Sequence, residues 1–130
     1  MFFSEPFLQK YFTFTLMNFE LEKRWRDTVA IASEHFGETL DMQSILFILG
    51  LQELNKGYVD LTKDQKLEVM HIATCTLLEP YGYYEFKGRD EDGWPHFENI
   101  EELPMLTGSE QEEMIKEAII DYFKKSEITE

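Results

Sequence analysis

Apolar residues recur at spacings of three and four in four separate stretches of this chain, and each stretch predicts an amphipathic helix. The first helix is predicted over about Asn18 to Phe36, because its apolar residues share one face and Gly37 follows as a typical helix stop. The second helix runs to about Asn55, and either Thr39 or Asp41 can cap its start.

The centre of the second helix, Ile45 to Leu51, is apolar on nearly every face, which is typical of a helix surrounded by protein. Gly50 lies inside it and costs about 1 kcal/mol relative to alanine, so it indicates close approach of another helix. A hinge at Gly50 is the alternative. Gly57 is the predicted stop of this helix.

The third and fourth helices each begin with a capping-box pattern, in which Ser or Thr precedes Glu or Gln by three residues. Thr62 with Gln65 marks the third helix, and Ser109 with Glu112 marks the fourth. The predicted buried positions are Leu67, Met70, Thr74, Leu77 and Leu78 with Val69 and Ile72 in the third helix, and Met114, Ile115, Ala118, Ile119, Tyr122 and Phe123 in the fourth.

Residues 79–102, EPYGYYEFKGRDEDGWPHFENIEE, lack the helical period and begin with Pro80, which ends the third helix. Residues 83–87 and 94–97 predict two short strands joined by the turn GRDEDG. An isolated hairpin is only marginally stable, so we expect this one to lie on the helices. The predicted fold class is therefore mainly α, about four helices in a single domain, with a small β-hairpin or aromatic loop between helices 3 and 4.

The start of the chain is apolar but does not fit a signal peptide, since no basic residues precede its apolar part and polar residues interrupt it. We expect residues 1–16 to be an extension outside the domain, with Met17 as an alternative native start. Residues 17–125 are expected to form one helical domain, and residues 126–130 a frayed tail. The alternative for residues 11–16, YFTFTL, is a short edge strand.

Charge is concentrated in one part of the chain. The net charge is −14, and residues 79–117 contribute −9 of it, from 12 acids and 3 bases. Such a surface repels nucleic-acid phosphates and anionic membranes and attracts basic surfaces. No apolar run reaches the roughly 18 residues of a membrane span. We therefore expect a soluble protein whose partner is another protein with a basic or mixed surface, and no direct nucleic-acid binding.

The residues with chemical potential are few. Cys75 is the only cysteine, which excludes an internal disulfide and fits a reducing, cytoplasmic location. Glu68, His71 and Cys75 share one face of the third helix and are the candidate metal ligands, but zinc and di-iron sites need further ligands that the pattern does not supply. Packing is their expected role. The sequence predicts no cofactor and no catalytic residue, and a metal-dependent enzyme is the least favoured hypothesis.

The turn of the hairpin resembles part of a calcium loop. If Gly93 occupies the glycine position of such a loop, Gly88 falls where the first oxygen ligand is required, so an EF-hand is excluded. A weak cation site at Asp90, Glu91 and Asp92 is one alternative, and a solvated turn is the favoured one, because Asp and Gly are turn residues in their own right.

The aromatic residues of 79–102 exceed what one small hairpin can bury, and aromatics within a charged rim are typical of protein-binding surfaces. The favoured alternative is that most of these aromatics cap the helical core. Both hold if alternate residues face opposite ways: Tyr84 and Phe86 inward with Tyr83 and Glu85 outward, or the reverse.

We expect an interaction or accessory subunit whose contact centres on Tyr83, Asp90, Asp92, Trp94 and His96. The alternative function is an acidic mimic of nucleic acid that inhibits or decoys a basic protein through Glu98, Glu101, Glu102, Glu110, Glu112 and Glu113.

Overall fold

Four α-helices and one β-hairpin form the fold. The computed structural model describes residues 5–54 and 60–125, with side chains from residue 19 onward. In chain order the elements are α1 (Glu5–Phe36), α2 (Met42–Leu54), α3 (Lys63–Leu78), β1 (Tyr84–Arg89), β2 (Pro95–Asn99) and α4 (Gly108–Lys125), with a 3₁₀ turn at Glu79–Tyr81. The mainly α fold with a hairpin between the third and fourth helices is confirmed. None of the helices described is both long and apolar enough to cross a bilayer.

Helix α1 begins at Glu5 rather than at the predicted Asn18, so the alternative of an edge strand over residues 11–16 is wrong. Pro6 lies in the first turn, where its missing N–H interrupts no helical hydrogen bond. Between Pro6 and Gly37 there is no glycine or proline, and extending an existing helix needs no new nucleus. The division at residue 16 stays a prediction, and the tail 126–130 lies outside the described residues.

Helices α2 and α3 approach each other closely at Gly50. A Cβ atom at this position would lie 2.2 Å from the carbonyl oxygen of Val69, so only glycine fits without a shift. The close approach predicted for Gly50 is therefore confirmed. The cap of α2 is Asp41, whose Oδ1 accepts a hydrogen bond from the Ser44 amide at 2.8 Å. Gly57, the predicted stop of α2, lies outside the described residues.

Helix α3 begins with the predicted capping box. The Gln65 amide donates to Thr62 Oγ1 at 3.1 Å, and the Thr62 amide donates to Gln65 Oε1 at 2.9 Å. The prediction that Leu67 is buried on the inner face of this helix is wrong, because its side chain is 62% exposed. Leu67 precedes Val69 by two residues and so points about 200° away from it around the helix, while Val69 packs on α2. The buried residues of α3 are Val69, Ile72, Ala73, Cys75, Leu77 and Leu78.

Helix α4 begins at Gly108, one residue before the predicted Ser109, and its capping box is Thr107 with Glu110 rather than Ser109 with Glu112. The Thr107 amide donates to Glu110 Oε1 at 3.0 Å, and the Glu110 amide donates to Thr107 Oγ1 at 3.2 Å. Both pairs fit the capping-box pattern, and the pair at Thr107 is the one used because it allows a longer helix. The core side of α4 is otherwise as expected: Ala118, Ile119 and Phe123 are buried together with Ile120, and Met114, Ile115 and Tyr122 pack against the core.

Two ion pairs of opposite polarity join α1 to α4. The guanidinium of Arg24 on α1 donates to both carboxylate oxygens of Glu117 on α4, at 3.0 and 2.7 Å. Lys116 on α4 reaches back to Glu22 on α1 at 2.9 Å, and its Nζ lies 5.7 Å from the centre of the Trp25 ring. These partly exposed pairs contribute little energy each, but together they favour one alignment of the two helices.

Candidate interaction surface

The hairpin is antiparallel and contains one bulge. Tyr84 lies opposite Asn99, Phe86 opposite Phe97, and Gly88 opposite His96, so Lys87 is the extra residue in β1. Side chains opposite each other in a sheet point to the same face. The predicted hairpin is therefore present, with strands slightly longer than expected and a bulge that the sequence pattern did not indicate.

The inner face of the hairpin contacts the helices. Pro95 is buried, and Tyr84 packs against the core with its ring 6.2 Å from that of His71 on α3. Phe86 meets Phe97 edge to face at 5.6 Å and stays 43% exposed. Neither predicted arrangement holds in full. Tyr84 is inward and Glu85 is outward, as in the first, but Tyr83 also packs against the core.

The outer face of the hairpin carries charged side chains. Glu85 and Glu98 lie opposite each other, an arrangement that is destabilising for two like charges. Lys87, which the bulge inserts between the strands' regular positions, bonds to both carboxylates, at 3.3 and 3.2 Å. Its hydrogen bonds to Glu98 and Glu85 raise the pKa of Lys87. The lysine therefore offsets the repulsion and leaves one net negative charge in this trio.

Asp90 organises the turn. Its Oδ1 accepts hydrogen bonds from the amides of Asp92 and Trp94, at 2.9 and 3.0 Å, and its Oδ2 lies 2.9 Å from His96 Nε2. The His96 contact is the largest cause of a lowered pKa of the Asp90 carboxyl group, and the Trp94 amide is the next. Asp90 is thus a structural residue of the turn, because its side chain accepts from backbone amides further along the chain.

The base of the hairpin is held by polar contacts with its neighbours. The Glu79 carboxylate accepts from the Phe86 amide at 2.8 Å, and the Tyr81 hydroxyl donates to the Asp121 carboxylate on α4. Asn99 Nδ2 donates to the carbonyl oxygen of Tyr83 at 3.0 Å. These contacts fix the direction in which the hairpin leaves the helices.

The five residues predicted as the contact centre do not form one cluster. Asp90, Asp92, Trp94 and His96 lie together at the turn, and Tyr83 lies at the other end of the hairpin, roughly 20 Å away along the strand. Trp94 is half-buried, whereas Asp92 is exposed. Within the part of the chain that the structure describes, the Asp92 carboxylate has no hydrogen-bond partner. Asp92 and its neighbour Glu91 are therefore the acids at the turn best placed to meet a partner.

The acidic residues proposed for the decoy lie in β2, at Glu98, and after the hairpin. Glu98, Glu101, Glu102, Glu110 and Glu112 are exposed, and Glu113 is half-buried. The carboxylate of Glu110 is engaged in the helix cap, and the contact with Thr107 lowers the pKa of its carboxyl group. Glu98 is paired with Lys87, so Glu101, Glu102, Glu112 and Glu113 are the acids available to a basic surface.

The candidate metal ligands on α3 do not form a metal site. Across residues 5–54 and 60–125, no group of three or more His, Cys, Asp or Glu side chains is arranged to hold an ion. Cys75 Sγ lies 3.4 Å from His71 Nε2, and the cysteine is buried. Burial raises the pKa of the Cys75 thiol to about 11, so it is protonated near neutral pH and unsuited to act as a nucleophile. Glu68 is exposed.

The linker between the hairpin and α4, residues 100–107, exposes apolar side chains that the sequence reasoning missed. Ile100 is 50% exposed, Leu103 is exposed, and Met105 is fully exposed. The sequence does indicate this exposure, because these apolar residues follow neither the helical nor the strand period and therefore belong to no helix or strand that would bury them.

Comparison with protein families, with characterised proteins and with solved structures found no match to this chain. The functional argument therefore rests on the surfaces described above.

Proposed function

We propose that this protein is an interaction or accessory subunit that binds another protein through the outer hairpin surface. This surface comprises the turn, residues 90–94, and the outward side chains of the strands, namely Glu85, Lys87, His96 and Glu98. The observation that carries the proposal is the ordered, exposed turn with Glu91 and Asp92 at its tip. Between residues 85 and 98 there are five acids and two bases, so the surface suits a basic or mixed partner.

Order at the turn supports this proposal on physical grounds. Binding costs free energy whenever loops must be immobilised, and a turn already fixed by Asp90 avoids much of that cost. Exposed acids accelerate encounter with a basic surface. The half-buried Trp94 and the partly exposed Phe86 add apolar area beside the acids. A buried, protonated Cys75 is compatible with the cytoplasmic location that we propose for the protein.

A paired set of charge variants tests the proposal. E91Q/D92N removes two exposed charges at the tip without touching the hydrogen bonds of Asp90's side chain. E112Q/E113Q removes two charges from α4 and serves as the matched control. We expect affinity purification of the tagged full-length chain from its native source to recover a stoichiometric partner. E91Q/D92N should reduce its recovery about tenfold or more, since several exposed charges that steer association are lost together, and the control should leave recovery unchanged.

Two results would contradict the proposal. One is the absence of any stoichiometric partner for the unaltered chain. The other is a partner that binds E91Q/D92N as well as the unaltered protein while circular dichroism shows both to be folded.

The second candidate function is the acidic decoy. It is favoured by one observation: residues 98–113 contain six acids and no base, and most of these acids are exposed. A decoy of a phosphate-binding track predicts the reverse result, with E112Q/E113Q losing the partner and E91Q/D92N keeping it. It also predicts binding that weakens strongly with salt, so a complex that survives about 0.5 M salt argues against it.

A further inference from the structure

An apolar groove lies between α2 and α3. It has a volume of about 640 Å³, and its apolar lining comes from Phe47, Ile48, Leu67 and Met70. Leu67 is 62% exposed there, although it is a large apolar side chain on an otherwise well-packed helix. The volume lies within the range of clefts that hold a ligand or several side chains.

The charged residues at the edge of this groove are mostly basic. Lys63 and Lys66 line it together with one acid, Glu38. This is unusual for a chain with 12 bases against 26 acids. An occupant of the groove would therefore combine apolar side chains with negative charge.

The linker 100–107 has this composition. It carries Glu101 and Glu102 and no basic residue, and it exposes three large apolar side chains: Ile100, Leu103 and Met105. From residue 102 to residue 107 it has neither helical nor strand structure. Seven residues of extended chain span up to about 23 Å, so residues 100–106 can present all of these side chains along one groove.

We propose that the protein associates with itself, the linker of one copy lying in the α2–α3 groove of another. Leu103 and Met105 enter the apolar part of the groove, and Glu101 and Glu102 face Lys63 and Lys66 at its edge. This contact covers apolar surface on both partners and pairs opposite charges. It does not use the outer hairpin surface, so the inference goes beyond the proposed function and leaves that surface available to a different protein.

The symmetry of such an assembly follows from the two surfaces. The groove and the linker are different patches, so a closed dimer with twofold symmetry uses the contact twice, and an open chain uses it once per junction. The area of a single contact is small, and small interfaces are typically transient. We therefore expect association that depends on protein concentration and weakens with salt, because the charges are exposed.

Sedimentation velocity of the full-length chain over a concentration series tests the proposal. L67E changes the groove and M105E changes the linker, and both replace exposed side chains, so neither should unfold the protein. F19E is the matched control, because Phe19 is a 68% exposed apolar residue on α1, outside both surfaces. We expect the unaltered chain to associate, L67E and M105E each to raise the dissociation constant about tenfold or more, and F19E to leave it unchanged. Circular dichroism checks that each variant is folded.

A mixing experiment identifies the pairing. L67E keeps an intact linker and M105E keeps an intact groove, so an equimolar mixture, with one variant labelled by a fluorophore, should form mixed assemblies that neither variant forms alone. The proposal is overturned if the unaltered chain stays monomeric at the highest concentration reached, or if only one of L67E and M105E weakens association. It is also overturned if F19E weakens association as much as they do, or if the mixture of L67E and M105E forms no mixed assemblies.

Discussion

The α2–α3 contact and the β-hairpin are held together by different forces. At the α2–α3 contact, Gly50 lets the backbones approach so closely that a single added carbon would collide with Val69. The hairpin buries Pro95 and little else, and its order depends on hydrogen bonds and ion pairs centred on Asp90 and Lys87. The α2–α3 contact is therefore sensitive to changes in side-chain volume, and the hairpin is sensitive to changes in charge.

This difference separates the contacts that stabilise the helices from those that order the hairpin surface. Close apolar packing is sensitive to one methylene group but insensitive to salt and pH. Exposed polar contacts contribute little to the free energy of unfolding, yet they fix the direction in which acidic side chains point. Substitutions on the hairpin surface should therefore have little effect on the stability of the helices. The predictions below test that separation, starting from the largest expected effect.

Removing a core aromatic ring should cost far more than removing a hairpin ring. Phe123 is fully buried on α4, and F123A should lower the free energy of unfolding by about 3–5 kcal/mol. F86A removes one edge-to-face contact with Phe97 and should cost only about 1 kcal/mol. Urea denaturation followed by circular dichroism measures both. Equal losses would mean that the hairpin belongs to the same cooperative core as the helices.

Adding one carbon at Gly50 should destabilise the protein although alanine is the better helix former. The new Cβ atom meets the carbonyl oxygen of Val69, and overpacking of this kind costs about 1–3 kcal/mol. The matched control is G108A in the first turn of α4, where a Cβ atom meets nothing within 4 Å. That variant should stabilise the protein by up to about 1 kcal/mol. A thermal melt that rises for both variants would contradict the close helix contact.

Substituting Asp90 should have the smallest effect on the protein, and the structural change should be confined to the hairpin. D90A removes the acceptor for two amides and the partner of His96, so amide resonances of residues 84–99 should shift in two-dimensional NMR spectra while those of the helices stay in place. D92A serves as the control, because its carboxylate bonds to no described residue. Shifts of similar extent in D92A would show that Asp90 does not organise the turn.

Acid should reproduce the D90A effect in the unaltered chain. Contact with His96, followed by the amide bonds, lowers the pKa of the Asp90 carboxyl group from its ordinary value of 3.8. A lowered pKa in the folded state means that the stabilisation is complete above the unfolded value and is lost as pH falls through the folded value. The amide resonances of Asp92 and Trp94, which bond to the Asp90 carboxylate, should therefore change as the pH falls below about 4.

The sequence predicted the helices well because their signals are local. Thr62 and Gln65 identified a helix start correctly, and Gly50 identified the close contact, since each depends on neighbours within one turn or on a single missing side chain. The start of α1 was misplaced because the alternation in residues 11–16 is a weaker signal than uninterrupted helix propagation. Ser109 and Thr107 offer equivalent capping patterns, and only the complete helix decides between them.

The candidate surface was less predictable because it depends on which face of an element meets the core. Leu67 looked like an inner residue by spacing, and the contact of Val69 with α2 turned it outward. The bulge at Lys87 sets which side chains of β1 face outward, and its only local mark is Gly88, whose φ is 113°. The turn was located correctly, but the structural role of Asp90 followed only from the positions of the Asp92 and Trp94 amides.

The burial of Cys75 has a practical consequence for chemical labelling. The chain has one thiol, and in the folded protein it is both enclosed and protonated. A cysteine introduced at Asp92 or Met105 would react with a maleimide dye orders of magnitude faster, so either surface can be labelled without first removing the native residue. The same thiol becomes reactive when the packing around it on α3 opens, and its rate of modification therefore reports how often that part of the core opens.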